Sequence, residues 1–199
     1  MRIPPRRRPV HRVVTTAGIL FLIVTALSGC SATPAATPAP SGTAAPPVAE
    51  ETAAPPVFAS NDEALAAAEA AYSEYQQMSN QIAHEGGADP DRIAKFTVGT
   101  VLESELGTYG RMAADGLRLV GDLAFDSLTL QSANLESGAL VAYVCLDVTK
   151  TDVLDVEGAS VIPVGRPNRY PLQVSLLHDS FSNRLFVEKS DSWSGSNFC

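Results

Sequence analysis

The stretch MAADGLRLVGDLAF, Met112 to Phe125, decides the fold, because the hydrophobic period changes inside it. Upstream of Gly116, apolar residues recur at three- and four-residue steps. Val98, Val101, Leu102, Leu106, Tyr109 and Met112 lie along one side of a helix predicted from Thr97 to Ala114. Gly116 is placed to supply the left-handed cap that ends it. Downstream, Leu117, Leu119, Leu123 and Phe125 alternate with polar or small residues, the period of a strand. Helices come first and an antiparallel sheet follows, an α+β arrangement.

Working outward toward the N-terminus, Ser60-Asn61-Asp62-Glu63 opens a long helix. Ser60 is the cap, Glu63 stands where a capping-box partner belongs, and two acids occupy the positive end of the helix dipole. Leu65, Ala68, Tyr72, Tyr75, Ser79 and Ile82 form its largely apolar face, and Gly86-Gly87 stops it. Asp89-Pro90 starts a short helix through Ile93 and Phe96, with proline at the first helical position. Gly99, Gly107 and Gly110 are costly inside a helix and are read as permitting close packing or a bend. Toward the C-terminus, strands are predicted over Phe125 to Ala133, Leu140 to Val148, Pro171 to His178 and Arg184 to Trp193. A long connection with Asp152, Asp155 and Glu157 separates the second of these from the third.

The first thirty residues follow another pattern. Arg2, Arg6, Arg7, Arg8 and Arg12 form a basic region without acids, and an apolar stretch runs from Val13 to Leu27. Its length, about 15 residues, is short of the roughly 20 a spanning helix needs, so residues 1–29 read as a signal peptide. The run Arg6-Arg7-Arg8 is general basicity, since Pro9 and Val10 follow it. Leu27-Ser28-Gly29-Cys30 resembles the bacterial lipobox, in which the cysteine is lipidated and the chain is cut just before it. The expectation is a protein attached to the membrane through Cys30, lipid-anchored on the extracytoplasmic face of the cell membrane, where two acyl chains anchor stably.

Residues 30–57 are the lipidated cysteine and a linker of mainly Ala, Thr, Pro and Ser, too poor in apolar surface to fold. At about 3.1 Å per residue in extended form, it spans up to roughly 80 Å. Residues 58–199 have the size of one domain. Five of the 14 basic residues precede Cys30 and all 22 acids follow it, leaving 9 against 22, a formal charge of −13. Such a balance argues against nucleic acid as a partner. Export leaves Cys145 and Cys199 as an even pair, which favours a disulfide worth about 4 kcal/mol by loop closure. A metal pair is disfavoured, because neither has a His or Cys nearby at ligand spacing.

Several segments carry a resemblance. They are Gly116-Leu117-Arg118, Val144-Cys145-Leu146-Asp147-Val148, Arg166-Pro167-Asn168-Arg169, and the ending Asp191-Ser192-Trp193-Ser194-Gly195-Ser196-Asn197-Phe198-Cys199. Over most of Ser60 to Cys199 the chain resembles a family of actinobacterial lipoproteins of unknown function with an NTF2-like domain. That resemblance implies N-terminal helices packed on a curved antiparallel sheet, an NTF2-like cone, and supplies the same cysteine pair. It implies no established activity.

Candidate chemistry is sparse. Strict alternation puts Tyr143, Cys145 and Asp147 on one strand face, and if that face looks into the cone, Asp147 and Tyr143 form a carboxylate–tyrosine pair able to move a proton. The competing reading has Asp147 bonding the backbone of the loop it introduces, and this is favoured. Tyr72, Tyr75, Phe96, Tyr109, Phe125 and Trp193 are candidates to line a pocket or to fill a core. His84 stands at a helix end and His178 at a strand end, both read as structural. The acids Asp152, Asp155 and Glu157 lack the glycine-centred loop and bidentate Glu of an EF-hand and are read as a solvated loop. No metal site and no cofactor is expected, and no nucleophile, phosphate-loop or zinc-protease motif occurs. The function expected is binding of an envelope protein, a wall component or a small molecule. Its rivals are an isomerase-, dehydratase- or hydrolase-type enzyme using the cone and a scaffold subunit of an envelope assembly.

Overall fold

In the computed structural model, residues 55–199 are described. The expected signal peptide, the lipobox residues Leu27, Ser28 and Gly29, Cys30 and nearly all of the linker lie outside the described residues. No helix among the described residues is long and apolar enough to cross a membrane.

Helix α1 spans Asn61–His84. Ser60 Oγ accepts the Glu63 amide at 3.2 Å, and the Glu63 carboxylate reaches back to the Ala59 amide at 2.7 Å, a capping box displaced by one residue. The buried face is Ala64, Ala68, Tyr72, Tyr75, Ser79 and Ile82, with Gln76 and Asn80 buried beside them. Ala64 takes the place expected of Leu65, which is half-buried. The helix ends at Gly86-Gly87, both with positive φ. A Cβ on Gly87 would stand 2.2 Å from the Tyr109 carbonyl oxygen, so only glycine lets the two helices approach there.

A 3-10 helix, Pro90–Lys95, carries Ile93 into the core. Helix α2 spans Gly99–Asp115 and ends on Gly116 in the left-handed conformation. It starts two residues later than the periodicity suggests, because the sheet captures Thr97 and Val98. The Val98 amide donates to the Val187 carbonyl and the Val187 amide to the Phe96 carbonyl, each at 3.0 Å. The expectation of close packing at Gly107 and Gly110 is corrected: Gly107 has only the end of Arg111 near it, and Gly110 has open space.

Six strands follow: β1 Arg118–Val120, β2 Ala124–Asn134, β3 Ala139–Asp147, β4 Asp152–Leu154, β5 Arg169–Asp179 and β6 Arg184–Ser192. The main sheet is antiparallel in the order β2-β3-β5-β6, while β1 and β4 pair separately. The connection after β3, read as a loop, therefore contains a strand. Its Asp152 and Val153 pair with Val120 and Leu119. Register shifts at Asp126/Thr129 and Leu130/Ser132 in β2, and at Ser175/Leu176 between β5 and β6, bend the sheet. Its concave face carries Leu140, Ala142, Val144, Val174, Leu176 and Val187, all fully buried. Helices packed on one face of a curved antiparallel sheet make this an α+β domain of the expected cone arrangement. Each large side chain buried between the layers contributes about 1.5–3 kcal/mol.

Candidate functional site

Side chains do not fill the space between helices and sheet. A cavity of about 420 Å³ opens between α1, the first half of α2 and the ends of β3, β5 and β6. Its floor is apolar, from Leu123, Leu146, Leu172 and Val101, and its walls are polar, from Tyr75, Gln76, Ser79, Ser104 and Glu105. Two turns of α1 supply the first wall, and the row Val101–Glu105–Tyr109, at four-residue steps, turns α2 toward it.

The polar groups pair off by hydrogen bonds between and along the two helices. Tyr75 donates its hydroxyl to Glu105 Oε1 at 2.5 Å, and Tyr109 donates to Ser79 Oγ at 2.9 Å. Gln76 Nε2 donates to the Tyr72 hydroxyl oxygen at 3.3 Å. The other half of that amide is different. Gln76 is 6% exposed, and its Oε1 has no hydrogen-bond partner among the described residues. A buried carbonyl without a donor costs about 1–3 kcal/mol, which a bound N–H or O–H group would recover.

Burial, reinforced by the nearby Glu105 charge, pushes the phenols of Tyr72, Tyr75 and Tyr109 well above their usual range. At neutral pH all three are therefore protonated. The cavity lining contains two carboxylates, Glu105 and Asp191, and no Lys, Arg or His.

The pocket candidates divide. Tyr72 and Tyr75 line the cavity, and Phe125 supports it from behind, edge-on to Tyr72 with ring centroids 4.8 Å apart. Three are corrected. Tyr109 is buried behind the wall and touches the site through Ser79. Phe96 lies outside the cavity beneath Arg184, whose guanidinium is 5.4 Å from the ring centre. Trp193 stands on the other face of the sheet, packed edge-on to Tyr143 at 4.9 Å.

The Asp147–Tyr143 pair is also corrected. Alternation does keep Tyr143, Cys145 and Asp147 together, but Leu140, Ala142 and Val144 are the residues that enter the core. The Tyr143 face points away from the helices and is covered by the chain after β6, with Phe198 5.6 Å from Tyr143. Cys145 and Cys199 are joined there in a disulfide, Cα atoms 5.6 Å apart. Asp147 accepts the Thr149 amide at 2.8 Å and lies 3.7 Å from Arg169 Nη1, while Arg169 Nη2 donates to both Asp126 oxygens at 2.6 and 2.7 Å. The Thr149 bonds first, then the Arg169 charge, hold the Asp147 carboxyl below its usual range.

Two of the quoted segments meet at this point. The Val148 amide donates to Asn168 O at 2.8 Å, and Arg166 donates to the carbonyls of Val148 and Thr151 at 2.8 and 3.0 Å. Val144–Val148 and Arg166–Arg169 thus form a clamp that shapes the loop after β3, away from the cavity.

His84 Nε2 is 2.8 Å from the Gly121 carbonyl, and His178 Nε2 is 3.1 Å from Asn183 Oδ1. Asp155 organises its own turn, accepting the Glu157 and Ala159 amides, and Asp152 accepts the Ser160 hydroxyl at 2.6 Å. Among the described residues no three His, Cys, Asp or Glu side chains converge as metal ligands.

Sequence reading did not identify Gln76, Glu105, Ser104 or Asp191 as site residues. A signal existed: Gln76 adjoins the apolar stripe of α1, and Glu105 interrupts the stripe of α2 between Val101 and Tyr109.

No known protein family matches the chain, and no curated protein does. Among solved structures, the chain is similar to the intermembrane space region of the chloroplast protein ARC6, at 11% identity and a TM-score of 0.49. That match covers 66% of this chain and 97% of the other. It is also similar to a Catenulispora acidiphila protein solved in complex with S-DNPA, at 15% identity, TM-score 0.43, covering 64% and 92%. Aln2 from a Streptomyces species matches at 15% identity, TM-score 0.42, covering 64% and 87%. Likenesses at this level carry no function across.

Proposed function

We propose that this chain is a lipid-anchored extracytoplasmic protein whose cone-shaped domain binds a small molecule between α1, α2 and the sheet. The observation that carries the reading is the 420 Å³ cavity lined by Gln76, whose buried Oε1 has no partner among the described residues. Small-ligand sites are concave, at volumes of about 300–1,000 Å³, and combine apolar surface with converging polar groups; here Val101, Leu123, Leu146 and Leu172 supply the apolar part of a mainly polar lining. A protein partner or a polymer of the wall would instead call for an extended exposed surface. The signal, lipobox and linker support placement of this domain at a distance from the membrane.

A thermal-shift screen of small amphiphilic compounds against the intact protein tests the reading. Ligands present at about 100 times their Kd should stabilise the fold by about 2.7 kcal/mol. Ser104 is exposed at the cavity wall, so Ser104→Trp should block the site at little cost to the fold. Hits that vanish with Ser104→Trp support the reading. A screen without hits, or hits that stabilise Ser104→Trp equally, would sink it.

A further inference from the structure

We propose that the ligand is a small organic cation, a protonated amine carrying a compact apolar body. This inference rests on the reading of the cavity as a ligand site and adds the chemistry of the occupant. Three observations converge on it. Glu105 lies in the wall with one oxygen held by the neutral Tyr75 hydroxyl, and no cationic side chain pairs with it among the described residues. Gln76 lines the cavity and its buried Oε1 has no donor among the described residues, an observation independent of any charge. The lining holds no basic group to receive an anion.

An ammonium group has three donors and no acceptor. It therefore matches a carboxylate on α2 and an amide carbonyl on α1, whereas an alcohol has one donor to offer and a carboxylate is repelled by Glu105. Asp191 lies at the mouth, 4.0 Å from Lys189 on the same strand, and contributes less than the unpaired Glu105. The apolar floor of Leu123, Leu146 and Leu172 selects an organic cation over a bare metal ion, since those side chains offer no oxygen ligands. Tyr75 acts as a positioning residue: its hydroxyl holds one Glu105 oxygen at 2.5 Å and so sets the direction of the carboxylate.

Three probes that share one body test the proposal: cyclohexylmethylamine, cyclohexylmethanol and cyclohexanecarboxylate. Each is titrated calorimetrically into the intact protein at pH 7. The amine should bind at least tenfold more tightly than the alcohol, and the carboxylate should be weakest. Glu105→Gln should abolish the preference for amine over alcohol. Gln76→Leu should weaken both.

Alcohol or carboxylate binding as tightly as the amine would overturn the proposal while leaving a ligand site in place. So would an amine preference that survives Glu105→Gln in a variant with an unchanged circular-dichroism spectrum. Silence of all three probes, with other compounds found in the wider screen, likewise overturns the cation and spares the cavity. Because the probe comparison needs no variant, it decides the matter even if Glu105→Gln fails to fold.

Discussion

Arg169 shows how much a single side chain ties together at the far end of this sheet. Its Nη2 donates to both oxygens of Asp126 and its Nη1 lies beside Asp147, joining β5 to both β2 and β3. Hydrogen bonds, with Arg169's charge adding to them, hold both carboxyls below their usual range. A depressed folded pKa contributes stability that is present above the unfolded value, about 3.9, and is lost as pH falls through the folded one. Stability should therefore fall with acidification below about pH 4, and Asp126→Asn with Asp147→Asn should flatten that dependence while lowering stability at pH 7. Denaturant melts from pH 2 to pH 7 measure it, and an unchanged slope in the double variant would contradict the assignment. Strand alternation made it legible that Tyr143, Cys145 and Asp147 share a face. Which face enters the cone was not legible, because Tyr143 is as apolar as a core residue and the covering segment after β6 lies about fifty residues away.

Both ends of α1 and the end of α2 were readable because caps and glycines are local signals. What sequence could not give was long-range capture: β6 draws Thr97 and Val98 out of the predicted helix, and β1 recruits Asp152–Leu154 from an apparent loop. The cavity shares that limit, since its lining comes from α1, α2, the turn before β2 and strands β3, β5 and β6. Glycines separate the two kinds of information. Gly87 has φ +84 and the Tyr109 carbonyl in the way, whereas Gly110 lies mid-helix with open space around it. Gly87→Ala should destabilise by at least about 1–3 kcal/mol through backbone strain alone. Gly110→Ala should stabilise by up to about 1 kcal/mol through helix propensity. Thermal melts of the two variants should move in opposite directions, and a Gly87→Ala protein melting at the wild-type temperature would refute the close approach.

For the whole molecule, the proposal joins a tether to a binding domain. Cys30→Ser should leave the protein in the soluble fraction or the medium, detected by fractionation and immunoblotting. Retention of that variant in salt-washed membranes would count against lipid anchoring and leave the cavity untouched. The acid-rich chain beyond Cys30 and a cavity wall without basic groups point the same way, toward a cationic ligand. The most direct measurement is an NMR titration of the isotope-labelled protein with cyclohexylmethylamine. The account predicts saturable shifts at the Gln76 side-chain amide and at the backbone of Tyr75, Ser79 and Glu105, with Tyr143 and Trp193 unmoved. Shifts centred on Tyr143 and Trp193, or none at Gln76 up to millimolar amine, would contradict it.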